Sequence, residues 1–353
     1  MSPTIRVFLT AVLLFALAGC ESISYYSQSL GGHLSLVNAG RPVDRLIDDP
    51  ESGPDLRAQL GEARAIRAFA SERLALPDNR SYRSYVDTGR EYVTWAVFAT
   101  PELSLEVRTW CFPVVGCVPY RGYFSREEAF EYAQGLADQG DDVYVAGIPA
   151  YSTLGWTSDP LLNTMFLRGE TYLASVIFHE LSHQVVYVQG DSAFNEAFAV
   201  SVEDSGTVLW LEHKGDTAAL RRYRLSQQRN ADFQALIAET REELHRIYTG
   251  GGSDADKRAR KAAAIERLRA RYRRLKARKW GGYNGYDAWF NDPINNAKLA
   301  TIAVYNELEP AFSRLLELCD GDYQRYYGAV ERIARLGSDR RVQALERATR
   351  CER

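Results

Sequence analysis

The sequence predicts an α+β fold that is mainly helical. Apolar residues recur at helical spacing over much of the 353-residue chain, whereas only short segments before residue 150 have the alternating or aromatic-rich pattern of strands. A glycine-rich turn at 249–254 separates two amphipathic stretches, which is typical of a helical hairpin. Because no Pro/Ser/Gly-rich linker divides the chain, we expect one domain over 46–353, with the hairpin as an insertion at about 215–279.

The first nineteen residues predict export. Arg6 precedes an apolar run over 7–17 that is too short to span a bilayer as a mature helix, so residues 1–19 are typical of a secretory signal. A secreted protein without an anchor, cut near Ala18, is the alternative to the interpretation that follows.

The end of this signal predicts a lipid anchor. Leu-Ala-Gly-Cys at 17–20 resembles the bacterial lipobox, which implies cleavage before Cys20 and lipid attachment to it. Residues 20–45 would then be a tether to the membrane. By the rule for such lipoproteins, Glu21 after the cysteine favours the outer membrane, with the protein facing the periplasm.

Five segments before residue 150 have assignable periodicity. A helix is predicted over 56–74, and strands are predicted over 92–98 and 103–112. A second helix is predicted over 125–139, since it begins with a serine cap and has two glutamates in its first turn. The apolar run 143–148 predicts one more strand.

The stretch 175–206 carries the chemistry. His179, Glu180 and His183 have the spacing H-E-x-x-H, and residues four apart lie on the same face of a helix, so both imidazoles can bind one metal ion. Glu180 then lies beside a metal-bound water, where a general base acts. The flanking residues are apolar, so the polar groups would be buried and need partners. The pattern predicts a hydrolase with one Zn²⁺; a buried histidine pair without metal is the alternative.

The third metal ligand is predicted from the next helix. Gln189 excludes the type of site that has a histidine six residues after the motif. Glu196 is the preferred ligand, with Glu203 two turns along the same face and Asn195 as groups that orient a ligand or face the substrate. Glu203 or Asp204 as the ligand remains an alternative, and Glu203 could also be a solvated helix-face charge.

The arms of the predicted hairpin differ in charge. The second arm, 257–279, is strongly basic, and nucleic acid or lipid headgroups could bind such a surface. We favour a solvated face whose charges pair with glutamates of the first arm. The whole chain has 43 Lys and Arg against 46 Asp and Glu, a net charge of −3, which gives no argument for nucleic acid.

The cysteines other than Cys20 predict disulfides. They are even in number, as expected in an oxidising compartment, and no C-x-x-C suggests a second metal site. Of three possible connectivities we prefer a small loop closed within 111–117 and a tie between the last helices, that is Cys111–Cys117 and Cys319–Cys351.

Together these motifs resemble the gluzincin metallopeptidases. The H-E-x-x-H motif at 179–183 followed by N-E-A-F-A at 195–199 looks like their aminopeptidase branch. Nearly the whole chain after the signal is similar to bacterial lipoproteins described as predicted aminopeptidases, with further likeness at 147–155 and 294–297. The resemblance implies a gluzincin-like fold, a peptide substrate and removal of the amino-terminal residue. A zinc endopeptidase, another envelope hydrolase or an envelope lipoprotein with a structural zinc site is the alternative.

The resemblance also implies where substrate groups lie. Gluzincins pair an extended peptide with an edge strand before the metal helix, which suggests 143–148 and the segment after it. Gluzincins often stabilise the oxyanion with Tyr or His, and the irregular segment 280–297, dense in Tyr and Asn, could supply such a group. Candidates for the oxyanion are Tyr283, Tyr286 and Tyr305. Candidates for contact with the substrate are Tyr151, Asn295 and Asn296. A structural role for the strand and for each tyrosine is the alternative.

Overall fold

Helices form most of the structure, a computed structural model that describes residues 28, 31–32, 34–112, 116–150, 152–303 and 308–351. The mainly helical α+β class predicted from the sequence is confirmed. The signal at 1–19, Cys20 and most of the tether lie outside the described residues, as do Tyr151 and Tyr305. Within the described residues, no helix is both long and apolar enough to cross a bilayer.

The helices whose bounds lie within the described residues are numbered in chain order. They are α1 (Val43–Asp48), α2 (Pro54–Leu74), α3 (Arg126–Asp138), α4 (Asn163–Phe166), α5 (Glu170–Ser182), α6 (Ser192–His213), α7 (Thr217–Thr249), α8 (Asp254–Arg278), α9 (Asp287–Asn291), α10 (Asn296–Ala303), α11 (Glu309–Leu318), α12 (Tyr323–Ala334) and α13 (Ser338–Glu346).

The strands are short and form small sheets. They are β1 (Arg41–Pro42), β2 (Ser84–Val86), β3 (Thr94–Pro101), β4 (Trp110–Phe112), β5 (Gly116–Val118), β6 (Arg121–Tyr123), β7 (Asp141–Ile148) and β8 (Leu161–Leu162). One sheet has the order β1-β2-β8, another β6-β3-β7, and β4 pairs with β5. The long pairing is β3 with β7, antiparallel from Thr94 opposite Ile148 to Pro101 opposite Asp141. In the described sheet β7 is therefore an edge strand.

Most predicted elements are confirmed, and one is wrong. The Ser125 hydroxyl caps α3 by accepting a hydrogen bond from the Glu128 N–H at 3.2 Å. The predicted strand over 103–112 is a strand only from Trp110. After β3 the chain turns, with the Ser104 N–H donating to the Pro101 carbonyl at 3.1 Å. Leu103 and Leu105 then pack on the helical hairpin, so these residues are apolar because of that contact and not because they belong to a strand.

The main core surrounds α5 and α6. Ile177, Phe178 and Leu181 of α5 are fully buried, as are Phe198 and Val202 of α6. These side chains form one cluster with residues of α2 and of the three C-terminal helices α11, α12 and α13. Burial of a large apolar side chain stabilises by roughly 1.5–3 kcal/mol. The two helices that carry the predicted site are therefore also the centre of the largest core.

The hairpin of α7 and α8 has a second core of its own, which confirms the predicted turn at 249–254. Glu243 of α7 forms ion pairs with Arg267 and Arg271 of α8, and Glu239 also pairs with Arg271. Pairs of this kind are worth up to about 1 kcal/mol each at an exposed surface. The basic arm thus has the partners expected of a solvated, charge-paired face.

Disulfides join Cys111 to Cys117 and Cys319 to Cys351, the pairing preferred from the sequence. The first connects β4 to β5. The second links the end of α11 to a residue after α13, so it covalently joins the two ends of the C-terminal segment that contains α12 and α13. Cys319 is itself fully buried in that core.

Gly206 lies where α6 closely approaches side chains of α2 and α5. A methyl group at this position would lie 2.7 Å from Leu74 Cδ1 and 3.0 Å from Phe178 Cδ2. We expect Gly206→Ala to lower the free energy of unfolding by about 1–3 kcal/mol, because overpacking outweighs the gain in helix propensity. Urea denaturation followed by circular dichroism measures this change.

The matched control is Gly135→Ala in α3, where a methyl group would have no atom within 4 Å. There we expect unchanged or higher stability, by up to roughly 1 kcal/mol. Equal effects of the two substitutions would contradict the close packing of α6.

Candidate metal site

Helix α5 presents the H-E-x-x-H motif from the core of the protein. The helix ends at Ser182, and His183 is its C-cap residue with helical dihedral angles, so His179 and His183 lie one turn apart on the same face. Their rings are 4.9 Å apart, and His183 is only 6% exposed. The opposite face, with Ile177 and Leu181, is fully buried in apolar contacts. That burial fixes the orientation of the histidines.

His179, His183 and Glu196 bring their ligand atoms together. The two Nε2 atoms are 3.2 Å apart, and Glu196 oxygens lie 3.2 Å from His179 Nε2 and 3.7 Å from His183 Nε2. Zinc bonds of about 2.0–2.1 Å at tetrahedral angles place neighbouring ligand atoms about 3.3–3.4 Å apart. The three residues therefore fit a zinc ion. No fourth His, Cys or carboxylate belongs to this group in the described part of the chain.

Glu203 lies behind His179. One of its carboxylate oxygens is 2.9 Å from His179 Nδ1. A carboxylate accepts, so Nδ1 carries a proton, and Nε2 is the ring nitrogen left to bind a metal. Glu203 therefore fixes the tautomer and the ring plane of His179 rather than facing solvent.

His183 is held differently. Its Nδ1 is buried and has no hydrogen-bond partner among the described residues. Burial lowers the pKa of His183 to about 4, so the ring is neutral at physiological pH and its Nε2 can act as a ligand. Packing, including a ring contact with Tyr187, orients this side chain in place of a hydrogen bond.

When no cation is present, the neighbouring charges shift the pKa values of His179 and Glu196. Burial acts to lower the pKa of His179, but the hydrogen bonds and charges of Glu196 and Glu203 raise it well above its ordinary value. Burial acts to raise the pKa of Glu196, and the two histidines outweigh it, so that pKa falls below its usual range. The cluster thus favours an anionic Glu196, the form that binds a metal.

Hydrogen bonds at the start of α6 place Glu196. The Asp191 side chain caps the helix by accepting from the Phe194 N–H at 3.2 Å. Asn195 is fully buried; its side chain accepts from the Val188 N–H and donates to the Val188 carbonyl, both at 2.8 Å. Asn195 therefore closes the loop between the second histidine and Glu196. It supports the site but does not reach the ligand atoms.

Glu180 is half-buried and does not belong to the group of ligand atoms. Burial is the main reason why its pKa rises to about 7; the charge of His179 opposes the rise, and those of Glu196 and Asp159 add to it. Asp159 in turn accepts a hydrogen bond from the Ser152 hydroxyl at 3.2 Å. The hydroxyl of Tyr82 is buried near Ser152 and makes no hydrogen bond of ordinary geometry with a described residue.

Asp159 and Tyr82 are absent from the sequence prediction, which covers Ser152 only as part of the segment after 143–148. They lie in loops that precede the motif by 20 to 100 residues, and no local periodicity connects them with it. The one available signal was the polar segment before the buried Leu161–Leu162 strand, which contains Ser152 and Asp159.

The tyrosines of the irregular segment contact the hairpin. The Tyr286 ring packs against Phe233 and Trp280, with ring centroids 4.6 and 5.2 Å away, and the Arg229 guanidinium lies 4.0 Å from the centre of the Tyr283 ring. None of these contacts involves the metal group, so the structure does not bring either tyrosine together with it. Tyr305 lies outside the described residues.

The asparagines of this segment hold the edge of the sheet. The Asn295 side chain donates to the Val143 carbonyl of β7 at 2.8 Å. Asn296 is fully buried and donates to the Glu102 and Ser104 carbonyls at 2.9 and 2.8 Å. Both amides are thus occupied by backbone of this chain, and the β7 edge is covered at Val143. The expectation that they face the substrate has no support from these contacts.

The alternative ligands have other partners. Asp204 accepts a hydrogen bond from the Tyr223 hydroxyl at 2.7 Å, and it does not belong to the metal group. His213, the next histidine in the sequence, packs against Phe69 and Trp210 with ring centroids 5.2 and 5.9 Å away. The geometry therefore favours Glu196 as the third ligand.

A family model described as "Putative aminopeptidase" matches residues 24–345, which is most of the chain. No curated protein and no solved structure matches it.

Removal of the Glu203 carboxylate tests the orientation of His179. We expect Glu203→Ala to raise the dissociation constant for Zn²⁺ roughly 10- to 100-fold, because the ring loses the acceptor that fixes its tautomer. Titration against a zinc-binding indicator measures this change. Glu212→Ala is the control, since Glu212 lies on the same helix and, among the described residues, its carboxylate pairs with the exposed Arg224 and not with the metal group. Equal affinities of the two variants would contradict the assigned role.

Proposed function

The chain belongs to the "Putative aminopeptidase" family, and on that premise we propose that it is a zinc-dependent aminopeptidase with a gluzincin-like catalytic site. The observation that carries the proposal is that the ligand atoms of His179, His183 and Glu196 lie within 4.8 Å of one another, with the half-buried Glu180 next to His179 on the same helix. Three protein ligands are typical of catalytic zinc, whereas structural zinc is closed by four.

His179, His183 and Glu196 would hold the ion, which supplies Lewis acidity for a bound water and for the scissile carbonyl. Glu180 is the general base: its carboxylate accepts a proton from the attacking water and returns it to the leaving amine. Glu203 keeps His179 in the tautomer that leaves Nε2 unprotonated. The residue that stabilises the oxyanion is not assigned.

We also propose that the enzyme acts in the bacterial cell envelope. Cys20 would anchor it by lipid to the outer membrane, with the catalytic domain in the periplasm. The lipobox-like sequence supports this location, and so do the two disulfides, since such bonds persist in oxidising compartments.

Glu180→Gln tests the chemistry. We expect the variant to keep its zinc content, because Glu180 is not a ligand, and to lose at least about 100-fold in kcat, since an amide cannot accept the water's proton. Zinc is measured by elemental analysis and kcat with aminoacyl fluorogenic substrates. Glu170→Gln, in the first turn of the same helix, is the control and should retain activity. A fully active Glu180→Gln variant would refute the proposed mechanism.

The position of cleavage tests the specificity inherited from the family. We expect free-amine peptides to lose their first residue, whereas the same peptides with acetylated amines stay intact. Mass spectrometry of the products measures both, before and after removal of metal with a chelator and after addition of Zn²⁺. Internal cleavage of acetylated peptides would replace the aminopeptidase proposal with an endopeptidase.

A further inference from the structure

Trp156 is the most exposed large apolar side chain in the described part of the chain, with 74% of its surface in solvent. A single exposed apolar residue is ordinary on a protein surface. The backbone that carries this one is not ordinary. The Trp156 N–H donates to the Thr153 carbonyl at 3.1 Å, and the residues between them, Leu154 and Gly155, have φ values of 57° and 80°. Two consecutive left-handed residues are characteristic of a tight type I′ turn.

Hydrogen bonds to a buried carboxylate fix the start of this turn. Asp159 is 1% exposed, and its carboxylate accepts from the Thr153 N–H at 3.0 Å and from the Thr153 hydroxyl at 2.7 Å. The Thr157 N–H in turn donates to the Thr153 hydroxyl at 3.1 Å. A left-handed residue with a side chain, such as Leu154, persists only where the surroundings impose it, and such strain is common at functional sites. The turn therefore holds the Trp156 backbone in one place while the indole faces solvent.

The turn lies against the residue that follows the second histidine of the metal group. A methyl group on Gly155 would lie 3.2 Å from Cγ, Cδ and Oε1 of Gln184. The Gln184 side chain is itself held, since its Oε1 accepts from Asn79 Nδ2 at 2.6 Å. Because consecutive Cα atoms are 3.8 Å apart, this contact puts the Trp156 Cα at most about 15 Å from the Cα of His183. The exposed indole is therefore a neighbour of the metal site.

We propose that Trp156 binds an apolar side chain of the peptide substrate and so contributes to the sequence preference of the enzyme. The inference rests on the proposed function. An extended peptide advances about 3.3–3.6 Å per residue, so several residues of a peptide bound at the metal lie within reach of the ring. An indole is a large, rigid apolar surface, and a turn that fixes its backbone lowers the entropy lost on binding. A large apolar side chain gains roughly tenfold in affinity from such a contact.

The substrate preference of Trp156→Ala tests the proposal. Free-amine peptides that carry either leucine or glycine at one of their first four positions are compared by kcat/KM. We expect the wild-type enzyme to favour leucine at one position by roughly tenfold or more. Trp156→Ala should lose that preference, because kcat/KM for the leucine peptide falls while that for the glycine peptide stays within about twofold. Trp156→Phe keeps an aromatic face and should retain most of the preference. A wild-type enzyme without such a preference, or a preference that Trp156→Ala keeps, would overturn the proposal.

Leu167→Ala is the matched control. Leu167 is 62% exposed and precedes the first turn of α5, whereas the histidines lie at the other end of that helix, about 18 Å away along its axis. Its substitution should leave the peptide preference unchanged. Because both side chains are largely exposed, we expect both variants to keep the circular dichroism spectrum and the Tm of the wild-type protein. An equal loss of preference in Leu167→Ala would contradict a specific role of Trp156.

Peptide binding gives a readout that needs no turnover. Isothermal titration calorimetry with the same peptides compares Glu180→Gln with Glu180→Gln/Trp156→Ala, both at saturating Zn²⁺. We expect the second substitution to raise the Kd for the leucine peptide roughly tenfold and to leave that for the glycine peptide unchanged. No difference between the two proteins would overturn the proposal. A wild-type protein that cleaves no peptide would refute the proposed function, while the binding comparison would still decide whether Trp156 contacts a peptide.

An exposed indole could instead insert into a membrane, and vesicles of brominated phosphatidylcholine test this. Bromine quenches tryptophan fluorescence on contact, so an inserted Trp156 would make the wild-type protein more strongly quenched than Trp156→Ala. We expect equal quenching of the two proteins. Quenching that depends on Trp156, together with an unchanged peptide preference, would assign the ring to the membrane and overturn the proposal.

Discussion

The packing of α5 against α6 is the contact on which the rest of the structure depends. His179 and His183 come from one helix and Glu196 and Glu203 from the other, so every distance within the cluster is a distance between these helices or along one of them. Gly206 permits the close approach, since any side chain there would meet the Phe178 ring. Apolar burial on the far sides of both helices supplies the stabilisation that holds polar groups in the interior.

The cluster itself is costly to bury. Two imidazole Nε2 atoms face each other at 3.2 Å, and two carboxylates lie within 3.2 Å of one ring. The charges offset burial at His179, whose pKa is raised, and at Glu196, whose pKa is lowered, but burial still lowers the pKa of His183 to about 4. The geometry favours a metal, because the ligand atoms already lie close to the spacing that zinc requires. Metal affinity and folding stability are therefore coupled at this site.

Residues far from the motif support the second helix. Arg341 of α13 donates to the Asp191 carboxylate that caps α6, at 2.6 and 3.1 Å. On the other side of the site, the buried Arg67 of α2 donates to the carbonyls of Pro77 and Ser81 and so holds the loop that leads to Tyr82. Residues distant in sequence from the motif therefore contribute to the surroundings of the site.

The features that could be predicted from the sequence are local ones, whereas the long-range contacts of the site could not be predicted. The His179–Glu180–His183 spacing is set within one helix turn, and the Ser125 cap and the hairpin turn are also local, so their patterns survive in the sequence. The placement of Asp159, whose charge helps to raise the pKa of Glu180, is not local. It depends on tertiary packing that no periodicity encodes. Tyr283 illustrates the converse: a segment rich in Tyr and Asn has the composition of a binding loop, yet its aromatic rings pack on the hairpin. Composition predicts which groups are available for chemistry, and only the tertiary contacts decide which of them reach the metal site.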